Sequence, residues 1–337
     1  MFVFWVRVAA LVLLGSLTTA LPQTVTIKMG TLAPEGTHWH QIFLQMREQW
    51  RKISGGKVQL QVFPGGAQGD EAQMVRLLRI GQLQAAALTS DGLGHIDRSG
   101  RAWQLPMMFD SWEELDYVHE RIAPRLEKII ESKGFVVLNW GDVGWVHFFS
   151  KTPVSRLDDL RKLKLFCWAG DNETLELYKA HGFKPVPLES TAILMGLQTG
   201  LIDAFGFPPL AALSQQLFGP AKNMIDLNWV PLIGATVISK PAWERIPEAY
   251  RGEMLQAARD SGKYLRAEIR KLGDDAVAAM QKRGLNVVKL DAATLADWRR
   301  EHEAAYPRLR GKFVPADLFD EVKRYRDEFR ANALGRP

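Results

Sequence analysis

Apolar residues recur along this chain in two alternating periods, and the alternation lays out a series of strands and helices. Val25 to Gly30 is a short apolar-rich run that reads as a strand. Trp39, Ile42, Phe43, Met46, Trp50 and Ile53 then fall at helical spacing, and Gly55-Gly56 ends that helix. Val58, Leu60 and Val62 alternate with Gln59, Gln61 and Phe63, a strand stopped by Pro64-Gly65-Gly66. Asp70 can cap the next helix, which carries Met74, Leu77, Leu78 and Leu83, and Ala85 to Leu88 makes a short buried strand. A β-α-β-α-β order of this kind predicts a parallel sheet with crossover helices.

Beyond it, Ser111 and Glu114 form a capping box that opens a long helix to about Lys133. Strands are expected at Phe135–Trp140 and Trp145–Phe149. A second α/β unit follows, with a strand at Lys164–Trp168, a helix capped by Asp171 and stopped at Gly182, and the run Pro185-Val186-Pro187. A helix from about Ser190 to Gly200 and a strand at Leu201–Phe205 complete that unit. Thr236 to Ser239 reads as a strand returning to the first sheet. From Pro247 to Gly284 the pattern is almost continuously helical, long enough to cross two domains. A strand at Asn286–Leu290 and helices opened by Asp291 and Asp317 end the chain. Repeats, low-complexity tracts and Ser/Gly linkers are absent, so two α/β lobes are joined by a rigid hinge. In such folds ligands sit in the crevice at the carboxyl ends of the strands.

The first residues change the picture by setting the compartment. Met1 to Arg7 carry one positive charge, Val8 to Leu17 are apolar apart from Gly15 and Ser16, and Thr18-Thr19-Ala20 supply small residues. This is the pattern of a secretory signal peptide, with cleavage expected near Ala20 and a periplasmic location for the mature chain. The apolar run is too short for the roughly 20 residues that span a bilayer. No cysteine follows it, so no lipid anchor is expected. The only cysteine, Cys167, sits in Leu165-Phe166-Cys167-Trp168 and reads as a small buried hydrophobe. The net charge of +5 becomes +4 once Arg7 is removed, and the basic residues are dispersed, which excludes a nucleic-acid face.

Four segments now resemble a known family. They are Gly30 through the Trp39 helix, the loop Pro64-Gly65-Gly66-Ala67-Gln68-Gly69-Asp70-Glu71, the run Leu157-Asp158-Asp159-Leu160-Arg161-Lys162-Leu163-Lys164 ahead of a strand, and Leu197-Gln198-Thr199-Gly200-Leu201-Ile202-Asp203. In this order they resemble the solute-binding subunits of tripartite ATP-independent periplasmic (TRAP) transporters, DctP type. The resemblance covers nearly all of the mature chain. It implies a two-lobe α/β periplasmic binding protein, with a long helix spanning both lobes and a cleft that closes on one small molecule. It also implies delivery to the membrane subunits of a TRAP permease, driven by an ion gradient. A helical-repeat periplasmic partner is a further possibility, and no cofactor is implied.

The departures from the family pattern share one sign. The family usually captures a carboxylate with an arginine on the strand after Leu163-Lys164, where Phe166 stands here. A second arginine commonly follows a Gly-X pair, and Gly144-Trp145 is followed by Val146. A family asparagine falls on Phe207, and another, found in some relatives, falls on Leu32. Arginine holds a carboxylate by two parallel charge-assisted hydrogen bonds, and without it burial of that carboxylate costs several kcal/mol, on the order of its whole affinity. An apolar or amphipathic ligand is therefore expected. Core packing is the competing reading for any one of these aromatics, and an arginine from elsewhere, such as Arg98 or Arg101, is the competing source of a cation.

Enzyme readings find little to stand on. His38-Trp39-His40 lacks a third ligand at a zinc-site spacing, and residues two apart on a helix do not share a face. Gly92-Leu93-Gly94 lacks the rest of a dinucleotide fingerprint, and neither a Walker loop nor a Gly-X-Ser-X-Gly elbow occurs. No catalytic or metal residues are assigned. A ligand-binding sensor or scaffold working with another exported protein is the alternative class, and an exported hydrolase a more distant one.

The resulting expectation places lobe I at residues 24–143 plus 232–271 and lobe II at 144–231 plus 272–331, after a signal peptide at 1–20. Leu32, Trp39, Gln68, Glu71 and Thr89 face the ligand from the first lobe. Trp145, Val146, Phe166, Trp168, Asp171, Phe207 and Pro208 face it from the second. Trp140 is a further aromatic near the cleft, and Asp171, Glu71 and Thr89 are candidates to hold a hydroxyl or amine head group.

Overall fold

Residues 24–334 are described by the structure, a computed structural model, so the expected signal peptide lies outside the described residues. The strands are β1 (Val25–Thr31), β2 (Val58–Phe63), β3 (Ala85–Thr89), β4 (Phe135–Ser150), β5 (Lys164–Trp168), β6 (Lys184–Leu188), β7 (Ala204–Phe207), β8 (Asn223–Ile225), β9 (Val230–Ser239) and β10 (Asn286–Val288). They lie in the order β2-β1-β3-β9-β4-β7-β5-β6, with β8 on β4 and β10 on β8. The expected parallel sheet is present as β2-β1-β3. It is extended by β9, which runs antiparallel to both β3 and β4 and makes the whole sheet mixed. A second parallel set, β7-β5-β6, is joined to the far end of β4 through β7.

Three sequence expectations need correction. The strands expected at Phe135–Trp140 and Trp145–Phe149 are one strand of 16 residues. Register shifts at Val137/Asn139 and Asp142/Gly144 bend it, with Gly144 at φ 130°, so the chain turns from one half of the sheet to the other without leaving it. The strand expected at Leu201–Phe205 begins only at Ala204. Gly200 closes the preceding helix in the left-handed conformation, and two amides after it bond outside the strand register, Ile202 N to the Gly196 carbonyl (3.1 Å) and Asp203 N to the Lys164 carbonyl (2.8 Å). β9 starts at Val230 rather than Thr236. β8 and the helix Pro209–Ser214 have no counterpart in the sequence reading, each being too short to show a period. β6 holds Pro185 and Pro187 because it is an edge strand.

Helix caps largely follow the sequence. Asp70, Ser111, Asp171 and Asp291 each accept a backbone N–H at the helix start they were expected to open. The box at Ser111 is half made, since the Glu114 carboxylate reaches back to Asp110 N (2.6 Å) instead of to Ser111. The last helix begins at Ala316, one residue before Asp317.

The long helix Glu248–Gln281 has 34 residues, about 51 Å at 1.5 Å per residue. Its Met254 and Ala258 carbonyls accept from the Trp50 indole (3.0 Å) and Asn139 Nδ2 (2.9 Å), which ties it to the helix His38–Ile53 and to β4. At Gly262 it comes so close to β4 that a Cβ would lie 2.6 Å from the Trp140 carbonyl oxygen. The helix is thus pressed along the strand that links the two halves of the sheet.

Candidate functional site

A cavity of about 370 Å³ opens at the carboxyl ends of β1, β3, β5 and β7, across the middle of β4 and β9. Leu32, Trp39, Phe43, Glu71 and Thr89 form one wall, and Trp168, Ser190, Thr191, Leu194, Phe207 and Gln215 the other. Asn139, Asp142, Val143, Leu232, Thr236 and Leu265 form its floor. None of its lining residues is arginine, lysine or histidine. Beside it lies an annex of about 90 Å³ lined by Val146, Phe166, Cys167, Asp171 and Val230, among others. Trp168, Phe207 and Leu232 belong to both spaces.

The four positions where the resemblance implies arginine or asparagine therefore all reach one space or the other. Leu32 lines the main cavity, Val146 and Phe166 the annex, and Phe207 both. Trp39, Glu71, Thr89 and Trp168, also expected at the ligand, line the main cavity. Asp171 lines only the annex, and Gln68, Trp145 and Pro208 line neither. Trp145 packs on Trp112 with ring centres 4.9 Å apart, behind β4. The bulge between Asp142 and Gly144 inverts the alternation of β4, turning Trp145 away from the cleft and Val146 toward it. Pro208 is buried next to Gly144, and Gln68 stays half exposed in its loop. Trp140 donates to Glu127 (2.9 Å) and packs with Trp103 in the core. Arg98 donates to the Gly311 and Lys312 carbonyls and lines neither space.

The polar candidates are largely engaged within the protein. Glu71 Oε1 accepts from Thr89 N (2.7 Å), and Oε2 accepts from Thr89 Oγ1 (2.6 Å) and Gly92 N (2.7 Å), so it anchors the start of the helix Ser90–Ile96. Burial and the Asp91 carboxylate nevertheless push Glu71 up to about 8, against the hydrogen bonds from Thr89. Asp142 accepts from Arg270 Nε at 2.6 Å, and Arg270 forks onto Asp116 at 2.6 and 2.7 Å. Its main-chain carbonyl takes the Trp39 indole N–H at 3.2 Å.

A pH effect follows from Glu71. Unfolded, the group ionises near 4.5, whereas folded it keeps its proton to about 8. The native state then binds more protons than the unfolded one across that window, so this group's contribution to stability falls as pH rises, by about 1.4 kcal/mol per unit. Melting curves of wild type and Glu71→Gln between about pH 5 and pH 8 should diverge, with the wild type losing more toward alkaline pH. Parallel curves would show that Glu71 is ionised throughout.

Two contacts close the cleft at its rims. Asp70 caps its own helix with Oδ1 (Glu71 N, 2.8 Å) and accepts from Ser190 N with Oδ2 (2.7 Å). Arg101 is buried with Nη2 2.9 Å from Asp171 and Nη1 2.5 Å from Glu173, over the ring of Phe313. It also lies 3.9 Å from Asp91. The competing source of a cation is thus held by carboxylates outside the main cavity. His38 is exposed, while His40 is buried and accepts from Gly36 N at 3.1 Å. No cluster of three or more His, Cys, Asp or Glu able to hold a metal occurs among the described residues.

Residues 29–312 match the model of the DctP family, described as bacterial extracellular solute-binding protein, family 7. The chain belongs to this family. The C4-dicarboxylate-binding periplasmic protein DctP of Rhodobacter capsulatus is 24% identical over 282 residues, 83% of this chain and 84% of its own. The 2,3-diketo-L-gulonate-binding periplasmic protein YiaO of Escherichia coli is 23% identical over 249 residues, 72% of this chain and 74% of its own. Among solved structures, the sugar acid binding protein of Advenella mimigardefordensis with galactonate superposes with a TM-score of 0.84 at 19% identity, covering 91% of this chain and 99% of that one. A TRAP solute-binding protein of Sulfurospirillum deleyianum with succinate gives 0.81 at 22% identity, covering 88% and 98%. This DctP-family chain is thus a two-lobe α/β solute-binding protein of the TRAP type and not an enzyme. Family members bind small molecules in the periplasm and work with membrane permease subunits. No described helix is long and apolar enough to cross a membrane.

Several lining residues escaped the sequence reading. Ala211, Ser214 and Gln215 belong to the short helix after β7 and its C-cap, and Thr191 and Leu194 to the turn and helix after β6. Leu265 is one apolar position among many on the long helix, and only the closeness of that helix to β4 brings it to the floor.

Proposed function

We propose that this chain captures a small, uncharged, largely apolar or amphipathic molecule and hands it to a TRAP-type permease. The observation that carries this reading is the lining of the cavity, which includes no cationic side chain. A carboxylate placed there would lose its hydration without gaining a charge-assisted partner, a cost of several kcal/mol or more. Apolar ligand surface covered by Leu32, Trp39, Trp168, Phe207, Leu232 and Leu265 gains roughly 25 cal/mol per Å². Thr31, Asn139, Ser190 and Ser214 are tied to their own chain. Thr191, Gln215 and Thr236 are then the groups best placed for a ligand hydroxyl.

The closing motion uses residues 24–143 plus 232–271 against 144–231 plus 272–331, with Asp70–Ser190 and Arg101–Asp171 forming in the closed state. A leader removed near Ala20 would put the mature protein in the periplasm. Extraction of natively purified protein with organic solvent, followed by mass spectrometry, tests the reading. One enriched uncharged compound near one per protein is the expected result, with no thermal shift from succinate or galactonate. An equimolar organic acid in the extract would sink it.

A further inference from the structure

Three spaces lie in series from the cleft toward the back of the second lobe. The main cavity and the annex share Trp168, Phe207 and Leu232 as a common wall. The annex in turn shares Pro106, Leu177, Tyr178, Trp229 and Leu309 with a third space of about 50 Å³. Beyond these, Arg161 and Glu301 line that third space and pair at 2.5 Å. Each space adjoins the next through shared side chains, which gives one extended molecule a route from the first toward the third. The first partition is a side chain rather than backbone. Trp168 is half-buried, stacked on Phe207 at 6.2 Å and edge-on to Phe166 at 5.7 Å, and a rotamer change of one indole would join the two spaces.

We propose that the ligand is a long-chain uncharged amphiphile, its head in the main cavity and its chain passing Trp168 into the annex. This rests on the uncharged-ligand reading above. The volumes support the orientation. The main cavity, about 370 Å³, takes the bulkier head beside Thr191, Gln215 and Thr236, and the annex, about 90 Å³, takes the chain among Val146, Phe166, Cys167 and Val230, with Gln104, Asp171 and Thr174 as its polar members. Asp171, on the annex wall, is already held by Arg101 and by Thr174 N (3.1 Å). Neither space has an arginine, lysine or histidine in its lining, so no charged head group is expected at either end.

The test uses n-alkan-1-ols of increasing length, titrated calorimetrically into the full mature protein, the Thr174→Phe variant and the Val230→Phe variant. Both substitutions narrow the annex, and neither position lines the main cavity. Each methylene that finds apolar space should tighten binding about fourfold. Short alcohols should bind all three proteins alike, with the variants levelling off at a shorter chain than wild type. Wild type and variants levelling off at the same length would overturn chain threading while leaving the uncharged-ligand reading intact. No binding at any length would overturn both. Should a variant fail to fold, the single cysteine decides. A long alcohol must slow the reaction of Cys167 with a small thiol reagent in wild type, and unchanged labelling defeats the proposal.

Discussion

Replacing Arg101 by methionine should lower unfolding free energy by about 3–5 kcal/mol, the usual cost of removing one partner from a buried ion pair. Arg101 is 3% exposed and lies between Asp91 and Asp171, which are 2% and 4% exposed. Methionine matches much of its apolar bulk against Phe313 but leaves two carboxylates facing each other without a cation. Burial already holds Asp91 above the usual carboxylate range, with the Asp171 charge adding to it and His95 and Arg101 opposing it. In the variant the protein must protonate one acid or open the rim of the cleft. Glu173 is half exposed and contributes little, so Glu173→Ala serves as the near-silent control. Urea denaturation measures the loss, and small-angle scattering reports lobe opening. A change under about 1 kcal/mol, the range of an exposed pair, would mean that water already compensates these charges.

Phe207→Arg should reverse the ligand preference. Phe207 ends β7, paired with His147 on β4, and its ring forms part of the wall between main cavity and annex. A guanidinium there would give the cavity the cation that its lining lacks. Hydrogen bonds to charged groups contribute about 1.5–3 kcal/mol, so succinate or galactonate should bind on the order of 100-fold more tightly than to wild type. The compound carried by wild type should be lost from the extract, since its apolar wall is gone. Isothermal titration with both acids reads the first effect and mass spectrometry the second. Retention of the same compound at the same affinity would show that Phe207 does not touch it. The parallel change at Phe166 should act more weakly, because Phe166 reaches only the annex.

Several features were legible because their causes are local. Asp70, Asp171 and Asp291 cap the helices they were expected to open, since a short acceptor side chain ahead of an apolar period satisfies free N–H groups wherever the helix lies. The parallel order of β1, β2 and β3 follows from crossover helices of sufficient length. Trp39 and Trp168 were expected near the cleft as aromatics, and both line the main cavity. Trp145 was placed there too, and the reason it failed is a bulge. One extra residue in β4 inverts every side chain after it, and no residue type in Asp142-Val143-Gly144 announces that on its own. Asp171 was offered as a free polar group because its partner, Arg101, lies 70 positions earlier and meets it only after the lobes pack.

By itself the sequence determined the α/β class, the caps and the family, all of which depend on nearest neighbours or on motifs read in order. Tertiary structure alone decided that Leu32, Val146, Phe166 and Phe207 converge on two adjoining spaces, that Arg98 and Arg101 do not reach the larger one, and that Leu265 and Gln215 do. The physical reason is that such a lining is a sum over distant segments. The bend of β4 and the close approach of the long helix at Gly262 set their relative positions, and neither is a property of any short stretch of chain.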